Sequence, residues 1–125
     1  MKAKLSMSLM IALLWVSVPA GAQQAWPAKP IRVIVPYGPG ASTDNVTRIY
    51  GQKVTEAWGQ PVIIDNKPGA GGTLPAQMLQ SSPADGYTVA QIPLGVFRMP
   101  YTTKINWDPV KDISYVINVT GYAFG

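Results

Sequence analysis

Short apolar runs alternate with segments of helical periodicity along the chain, and this alternation predicts the fold. The run over residues 31–35 is rich in β-branched residues without strict alternation, which favours a strand buried on both faces. Similar runs over residues 62–65, 87–94 and 114–119 predict three further strands, and a helix is predicted over residues 74–81. Strands separated by helices indicate an α/β fold with a parallel sheet and right-handed crossovers.

A longer amphipathic helix is predicted between the first two strands, over residues 45–58, where apolar side chains recur at intervals of three and four. Thr43 or Asp44 can cap the start of this helix through a side-chain oxygen. Gly59 is predicted to end it in the left-handed conformation. The stripe expected to be buried consists of Val46, Ile49, Tyr50, Val54, Ala57 and Trp58.

A glycine-bearing loop follows each of the first three predicted strands. These loops contain Gly38-Pro39-Gly40, the stretch NKPGAGGT over residues 66–73, and Gly95-Val96-Phe97. In parallel α/β sheets, ligands bind outside the carboxyl ends of the strands. The first amides of a helix lack backbone partners, and the helix dipole favours negative charge there. The sequence therefore predicts one binding site at this edge, for a small molecule that bears a carboxylate.

The first 22 residues have the pattern of a cleaved signal peptide. Lys2 and Lys4 precede an apolar stretch over residues 9–18, and Ala20-Gly21-Ala22 forms a small-residue cleavage site before Gln23. The apolar stretch is shorter than the roughly 20 residues that a membrane-spanning helix needs. Removal of the two lysines lowers the formal charge of the 125-residue chain from +4 to +2.

The residue types present argue against several classes of function. The chain has no histidine and no cysteine, so Ser42 has no imidazole base for nucleophilic catalysis. The six acidic residues are scattered along the sequence, which argues against a metal site. A charge of +2 without a basic stripe argues against nucleic-acid binding. A binding protein without catalytic residues, metal or cofactor is expected.

A dinucleotide-binding enzyme of Rossmann type is an alternative interpretation of the first loop. Gly38-Pro39-Gly40 follows a strand, and Asp65 ends the next strand, as the dinucleotide fingerprint requires. Thr43 occupies the position of the third glycine of that fingerprint. A phosphate-binding P-loop is excluded because no Gly-Lys-Ser/Thr sequence follows the loop.

Four segments in order resemble the substrate-binding proteins of tripartite tricarboxylate transporters, the Bug or TctC family. They are WPAKPIRVIVPYGPGASTD, GQPVIIDNKPGAGGT, PADGYTVAQ and INWDPVKDISYV. The resemblance implies a periplasmic solute-binding protein whose two α/β lobes close around an organic acid. It also implies delivery of that acid to the permease subunits of a membrane transporter.

The resemblance also implies that backbone amides, hydroxyls and ordered water hold the ligand carboxylate. Pro39 departs from many members and lacks an N–H group, which removes one potential donor. Family members are longer than this chain, so residues 23–125 are expected to form the first part of an incomplete lobe one. A truncated remnant that binds nothing is the alternative. The predicted ligand-binding residues are Tyr37, Gly38, Gly40, Ala41, Ser42, Thr43 and Asp44, then Ala70, Gly71, Gly72 and Thr73, then Gly95, Val96 and Phe97.

Overall fold

Three parallel strands form the sheet at the centre of the chain. The computed structural model describes residues 25–119, so the predicted signal peptide lies outside the described residues. The strands are β1 (Ile31–Val35), β2 (Val62–Asn66) and β3 (Thr88–Ala90), in the spatial order β2-β1-β3. Both pairings are parallel, which confirms the predicted α/β fold class. The helices are α1 (Ser42–Trp58), α2 (Leu74–Gln80) and α3 (Met99–Thr102), with 3-10 helices at Ala70–Gly72 and Leu94–Arg98.

The two crossovers run in opposite directions across the sheet. The first passes from β1 through α1 to β2, and the second returns from β2 through α2 to β3 on the other side of β1. Because parallel crossovers are right-handed, α1 and α2 cover opposite faces of the sheet. All three strands consequently end at the same edge, where their following loops meet.

A small apolar core anchors the third loop and the segment beyond α3. Ile34 and Val35 of the central strand are fully buried. A second buried cluster consists of Ala76, Val96, Met99 and Ile113, with Leu79, Ile92, Ile105 and Trp107 packed against it. The 3-10 helix after β3 is therefore held to α2 by side-chain packing.

The start of α1 differs from the predicted start. The helix begins at Ser42 with Ala41 as its N-cap, and no side chain caps it by a hydrogen bond. Thr43 and Asp44 therefore lie inside the first turn, and the expectation that either is the N-cap is wrong. The predicted end is confirmed, because Gly59 has φ 69° and its amide donates to the Thr55 carbonyl at 2.9 Å.

The predicted buried stripe of α1 is also wrong. The buried residues of the helix are Asp44, Thr47 and Gly51, whereas Ile49 and Tyr50 are mostly exposed. A small residue determines which face packs, because a β-carbon on Gly51 would lie 3.1 Å from Val62 Cγ1. This close approach turns the face with Gly51 toward the sheet, so that Ile49 and Tyr50 are mostly exposed while Val46 and Val54 are partly buried.

Two predicted strands differ in extent from those observed. β3 covers only Thr88–Ala90, since Gln91 makes the last amide bond to β1 and Pro93 lies three residues beyond the strand. Residues 114–119 are not a strand, because this segment pairs with no other strand of residues 25–119. Val116 and Ile117 within it are 85% and 73% exposed. Across residues 25–119, no helix has the length and apolar character that crossing a membrane requires.

Candidate functional site

Three loops contact one another at the carboxyl edge of the sheet. They cover residues 36–41 after β1, 67–73 after β2 and 91–97 after β3. A β-carbon on Gly72 would lie 2.9 Å from Pro93 Cγ and 3.6 Å from Pro36 Cβ, so the second loop lies against the other two. A β-carbon on Gly95 would lie 3.6 Å from the Gly71 carbonyl oxygen. The three loops therefore lie together at this edge, as predicted.

The first turn of α1 points unpaired amides toward this edge. The amide of Asn45 makes the first bond of the helix, to the Ala41 carbonyl at 3.0 Å. The amides of Ser42, Thr43 and Asp44 precede it and have no intrahelical carbonyl partner. The helix dipole adds partial positive charge at the same place. Ser42 is exposed and Thr43 is partly exposed, so their amides and hydroxyls are candidate donors to an anion.

The carboxylate of Asp44 is engaged within the chain. Asp44 is 1% exposed. Its Oδ2 accepts from the Gly40 amide at 2.8 Å and from Arg48 Nε at 2.9 Å, and its Oδ1 accepts from Asn66 Nδ2 at 2.9 Å. The bonds from Arg48, Gly40 and Asn66 lower the pKa of Asp44 from 3.8 to about 2. The Gly40 amide, predicted as a ligand donor, is thus occupied by Asp44.

Left-handed backbone shapes the second loop. Gly69, Gly71 and Gly72 have φ of 124°, 63° and 81°. The loop satisfies part of its own backbone, because Gly72 donates to the Gly69 carbonyl and Thr73 donates to the Ala70 carbonyl. The Thr73 hydroxyl also donates to Ala70, at 2.7 Å. Ala70 and Gly71 are exposed, and their amides are the candidate donors of this loop.

Packing against the core holds the third loop. The side chain of Val96 is fully buried, so this predicted site residue packs in the core and only its backbone lies near the edge. Phe97 packs near Tyr115, with 5.8 Å between the ring centroids. Gly95 is exposed at the edge, next to Gly71. Its amide is the candidate donor of the third loop.

The burial of the predicted site residues divides them into three sets. Tyr37, Gly40, Ser42, Ala70, Gly71 and Gly95 are exposed at the edge of the sheet. Gly38, Ala41, Thr43, Thr73 and Phe97 are partly exposed, and Asp44, Gly72 and Val96 are buried. The backbone of the three loops is therefore a stronger candidate for ligand contact than the buried side chains are.

Sequence reasoning missed two residues that shape the first loop. Asn66 is the last residue of β2, and Arg48 lies one turn after Asp44 on α1. A carboxylate followed four residues later by an arginine is a recognisable helix ion pair. A polar residue at the carboxyl end of a strand next to the loops was the corresponding signal for Asn66.

Acid is expected to weaken the fold through Asp44. The folded pKa of about 2 lies below the ordinary value of 3.8, so the stabilisation from ionised Asp44 is complete above the ordinary value and is lost as pH falls toward 2. We expect the difference in melting temperature between the wild type and Asp44→Asn to be largest near neutral pH and to narrow over this range. Other aspartates with a lowered pKa, such as Asp65 and Asp85, contribute equally to the pH dependence of stability in both proteins. If the difference in melting temperature between the two proteins stayed constant down to pH 2, ionised Asp44 would not stabilise the fold as inferred.

A parallel α/β sheet with three loops joined at its carboxyl edge is part of the architecture of periplasmic binding proteins. The chain belongs to the TctC family, because the model of the tripartite tricarboxylate transporter family receptor matches residues 46–125. A protein from the gbd 5′ region of Cupriavidus necator is 56% identical over 110 residues, which cover 87% of this chain and 34% of that relative. The chain thus spans about a third of that relative's length.

Solved structures show the same relationship. A structure described as a periplasmic transporter is 37% identical, with a TM-score of 0.62 over 70% of this chain and 30% of that one. MatC of Rhodopseudomonas palustris with bound malate is 32% identical, with a TM-score of 0.60 over 67% of this chain and 29% of MatC. A second R. palustris protein, solved with adipate, is 35% identical, with a TM-score of 0.51 over 52% of this chain and 22% of that protein. The matched family is one of transporter receptors, which supports the predicted binding protein over the dinucleotide-binding enzyme.

Proposed function

We propose that this chain takes part in the periplasmic capture of small organic acids that bear carboxylates, for delivery to a tripartite tricarboxylate transporter. The convergence of three loops beside the unpaired first-turn amides of α1 is the observation that carries the proposal. Neighbours of the same fold were solved with malate and with adipate, which both carry two carboxylates. Backbone amides at a helix start are a general means of holding such a group.

In this proposal, α1 supplies the principal donors to one ligand carboxylate. The amides of Ser42 and Thr43 lie at the positive end of the helix, and each hydroxyl adds one donor. The amides of Ala70, Gly71 and Gly95 approach the same edge from the other loops. Charge-assisted hydrogen bonds of this kind are about twice as strong as neutral ones. Asp44 does not touch the ligand, since its oxygens accept bonds from within the chain.

The remaining parts of the proposal rest on the N-terminal sequence and on family membership. They are export through a signal peptide cleaved before Gln23, a periplasmic location, and transfer of the ligand to membrane permease subunits. Closure of a second lobe over the ligand belongs with them, because the chain covers 34% of its relative from C. necator. A chain that binds no organic acid by itself is the alternative.

Thermal unfolding of the purified chain with and without ligand tests the proposal. Malate, adipate or citrate at a hundred times its dissociation constant would stabilise the folded state by about 2.7 kcal/mol. We expect an increase in melting temperature of several degrees for at least one acid, since about 1 kcal/mol raises the midpoint of a small domain by about 4–8 °C. Adipamide, the uncharged diamide, is the matched control and is expected to cause no shift. Cooperative unfolding without a shift by any acid would show that these loops do not bind a carboxylate by themselves.

A further inference from the structure

One amide side chain joins the end of β2 to both the first loop and α1. Nδ2 of Asn66 donates to the Tyr37 carbonyl at 2.9 Å and to Asp44 Oδ1 at 2.9 Å. Its Oδ1 accepts from Arg48 Nη2 at 3.2 Å. Both partners of the nitrogen are acceptors and the partner of the oxygen is a donor, which assigns the orientation of the amide. Asn66 therefore uses its full donor capacity and one acceptor atom in this network.

The network keeps the negative charge of Asp44 from repelling an anion at the start of α1. Asp44 is an ionised carboxylate in the first turn, where the helix dipole also attracts an external anion. A carboxylate there that was free to rotate toward the loops would repel a carboxylate ligand. Both Asp44 oxygens are instead directed to donors inside the chain, and the guanidinium of Arg48 neutralises the charge.

The same network sets the path of the first loop. Asp44 holds the Gly40 amide, and Asn66 holds the Tyr37 carbonyl three residues earlier. These two bonds fix the loop on either side of Pro39. The loop then enters α1, where the amides of Ser42 and Thr43 have no intrahelical carbonyl partner.

We propose that Asn66 is a positioning residue of the carboxylate site, which turns the charge of Asp44 away from the ligand and fixes the first loop. This inference rests on the proposed function. Asparagine is suited to the role because it can donate twice and accept at once, whereas aspartate at this position would have no hydrogen to donate to Asp44 or Tyr37. Asn66→Asp would also place a second carboxylate beside Asp44.

Amide hydrogen exchange of Gly40, measured by NMR without any ligand, tests the positioning directly. We expect Asn66→Ala and Asn66→Asp to accelerate the exchange of the Gly40 amide by about tenfold or more, because Asp44 Oδ1 then loses its donor and the Tyr37 carbonyl is released. The matched control is Asp65→Asn. Asp65 is adjacent in sequence but faces the opposite side of the sheet, where it pairs with Arg32 and Lys67. The exchange of Gly40 is expected to stay unchanged in this control.

Calorimetric titration with malate and adipate provides the second readout. Asn66→Asp is expected to weaken binding by about tenfold or more, and more than Asn66→Ala does, because like charges face each other. The double exchange Asp44→Asn with Asn66→Asp keeps one carboxylate and one amide in the pair, and is expected to recover part of the affinity. A purely structural role of Asn66 would lower the stability of all three variants. It would not make Asn66→Asp bind more weakly than Asn66→Ala, nor let the double variant recover affinity. Asn66→Ser, which keeps one donor, replaces any variant that does not unfold cooperatively.

The two readouts separate failure of the inference from failure of the proposed function. Unchanged Gly40 exchange in both single variants would overturn the positioning role whether or not a ligand binds. A loss of affinity no greater than in Asp65→Asn would overturn it as well. If the wild type binds no acid, the proposed function fails, and the Gly40 measurement alone decides the positioning role.

Discussion

Gly72→Ala is expected to destabilise the chain by about 3 kcal/mol, from about 1–2 kcal/mol of left-handed backbone strain plus the cost of overpacking. The residue has φ 81°, and its new β-carbon would lie 2.9 Å from Pro93 Cγ. A proline ring cannot rotate away as a flexible side chain can. Pro36 Cβ of the first loop lies 3.6 Å from the same position, which is ordinary van der Waals contact, so the clash is with Pro93. Urea unfolding of the purified chain measures the change.

Gly71→Ala is the matched control for this prediction. Gly71 is the preceding residue, has φ 63°, and has no atom within 4 Å of the position of a β-carbon. It should show only the backbone strain, about 1–2 kcal/mol. The difference between the two variants measures how tightly the three loops pack together. Equal destabilisation by both substitutions would show that the loops do not meet at Gly72.

Local patterns in the sequence were sufficient to predict the elements that lead into the site. The β-branched run of β1 has the predicted bounds, and Gly59 ends α1 as predicted. Glycine at a left-handed helix end and β-branched residues in a buried strand reflect backbone preferences that act within a few residues. The placement of all three loops at one edge followed from the parallel topology, which the alternation of strands and helices already indicates.

The buried face of α1 was not predictable from periodicity. Ile49 and Tyr50 of the predicted stripe are mostly exposed, and the fully buried residues of the helix are Asp44, Thr47 and Gly51. Periodicity shows only that residues share a face, whereas packing depends on which face can approach the sheet closely. The contact between Gly51 and Val62 joins residues from different elements, so no local window contains it.

The arrangement around Asp44 was missed for a similar reason. Asn66 lies 22 residues from Asp44 in sequence, and their hydrogen bond exists only after β2 has paired beside β1. Without this partner, an aspartate in the first turn of a helix is indistinguishable from a cap or a ligand contact. In the proposed site, most donors are backbone amides, which every residue type except proline supplies. The residue types therefore predict a carboxylate-binding edge, whereas backbone amides alone do not select what else the ligand carries.

That dependence on backbone allows one donor to be deleted without disturbing the helix. Ser42 is the first residue of α1, where proline is favoured, and Ala41 before it has φ −65° and ψ 157°, a conformation that a following proline accepts. Ser42→Pro removes the amide hydrogen and the hydroxyl, whereas Ser42→Ala removes the hydroxyl alone. A hydrogen bond to a charged group contributes about 1.5–3 kcal/mol, so we expect Ser42→Pro to bind malate or adipate about 10–100-fold more weakly than Ser42→Ala.

Crowding by the proline ring could also weaken binding in Ser42→Pro. Ser42→Val distinguishes crowding from loss of the amide hydrogen. Valine adds carbon atoms at the same position but keeps the amide hydrogen, so its affinity is expected to stay near that of Ser42→Ala. Melting temperatures of the three variants should agree within a few degrees, because the Ser42 amide has no partner within the helix. If Ser42→Pro and Ser42→Ala bind equally, the ligand carboxylate does not accept from this amide. The donors would then be the Thr43 amide of α1 or the amides of the second and third loops.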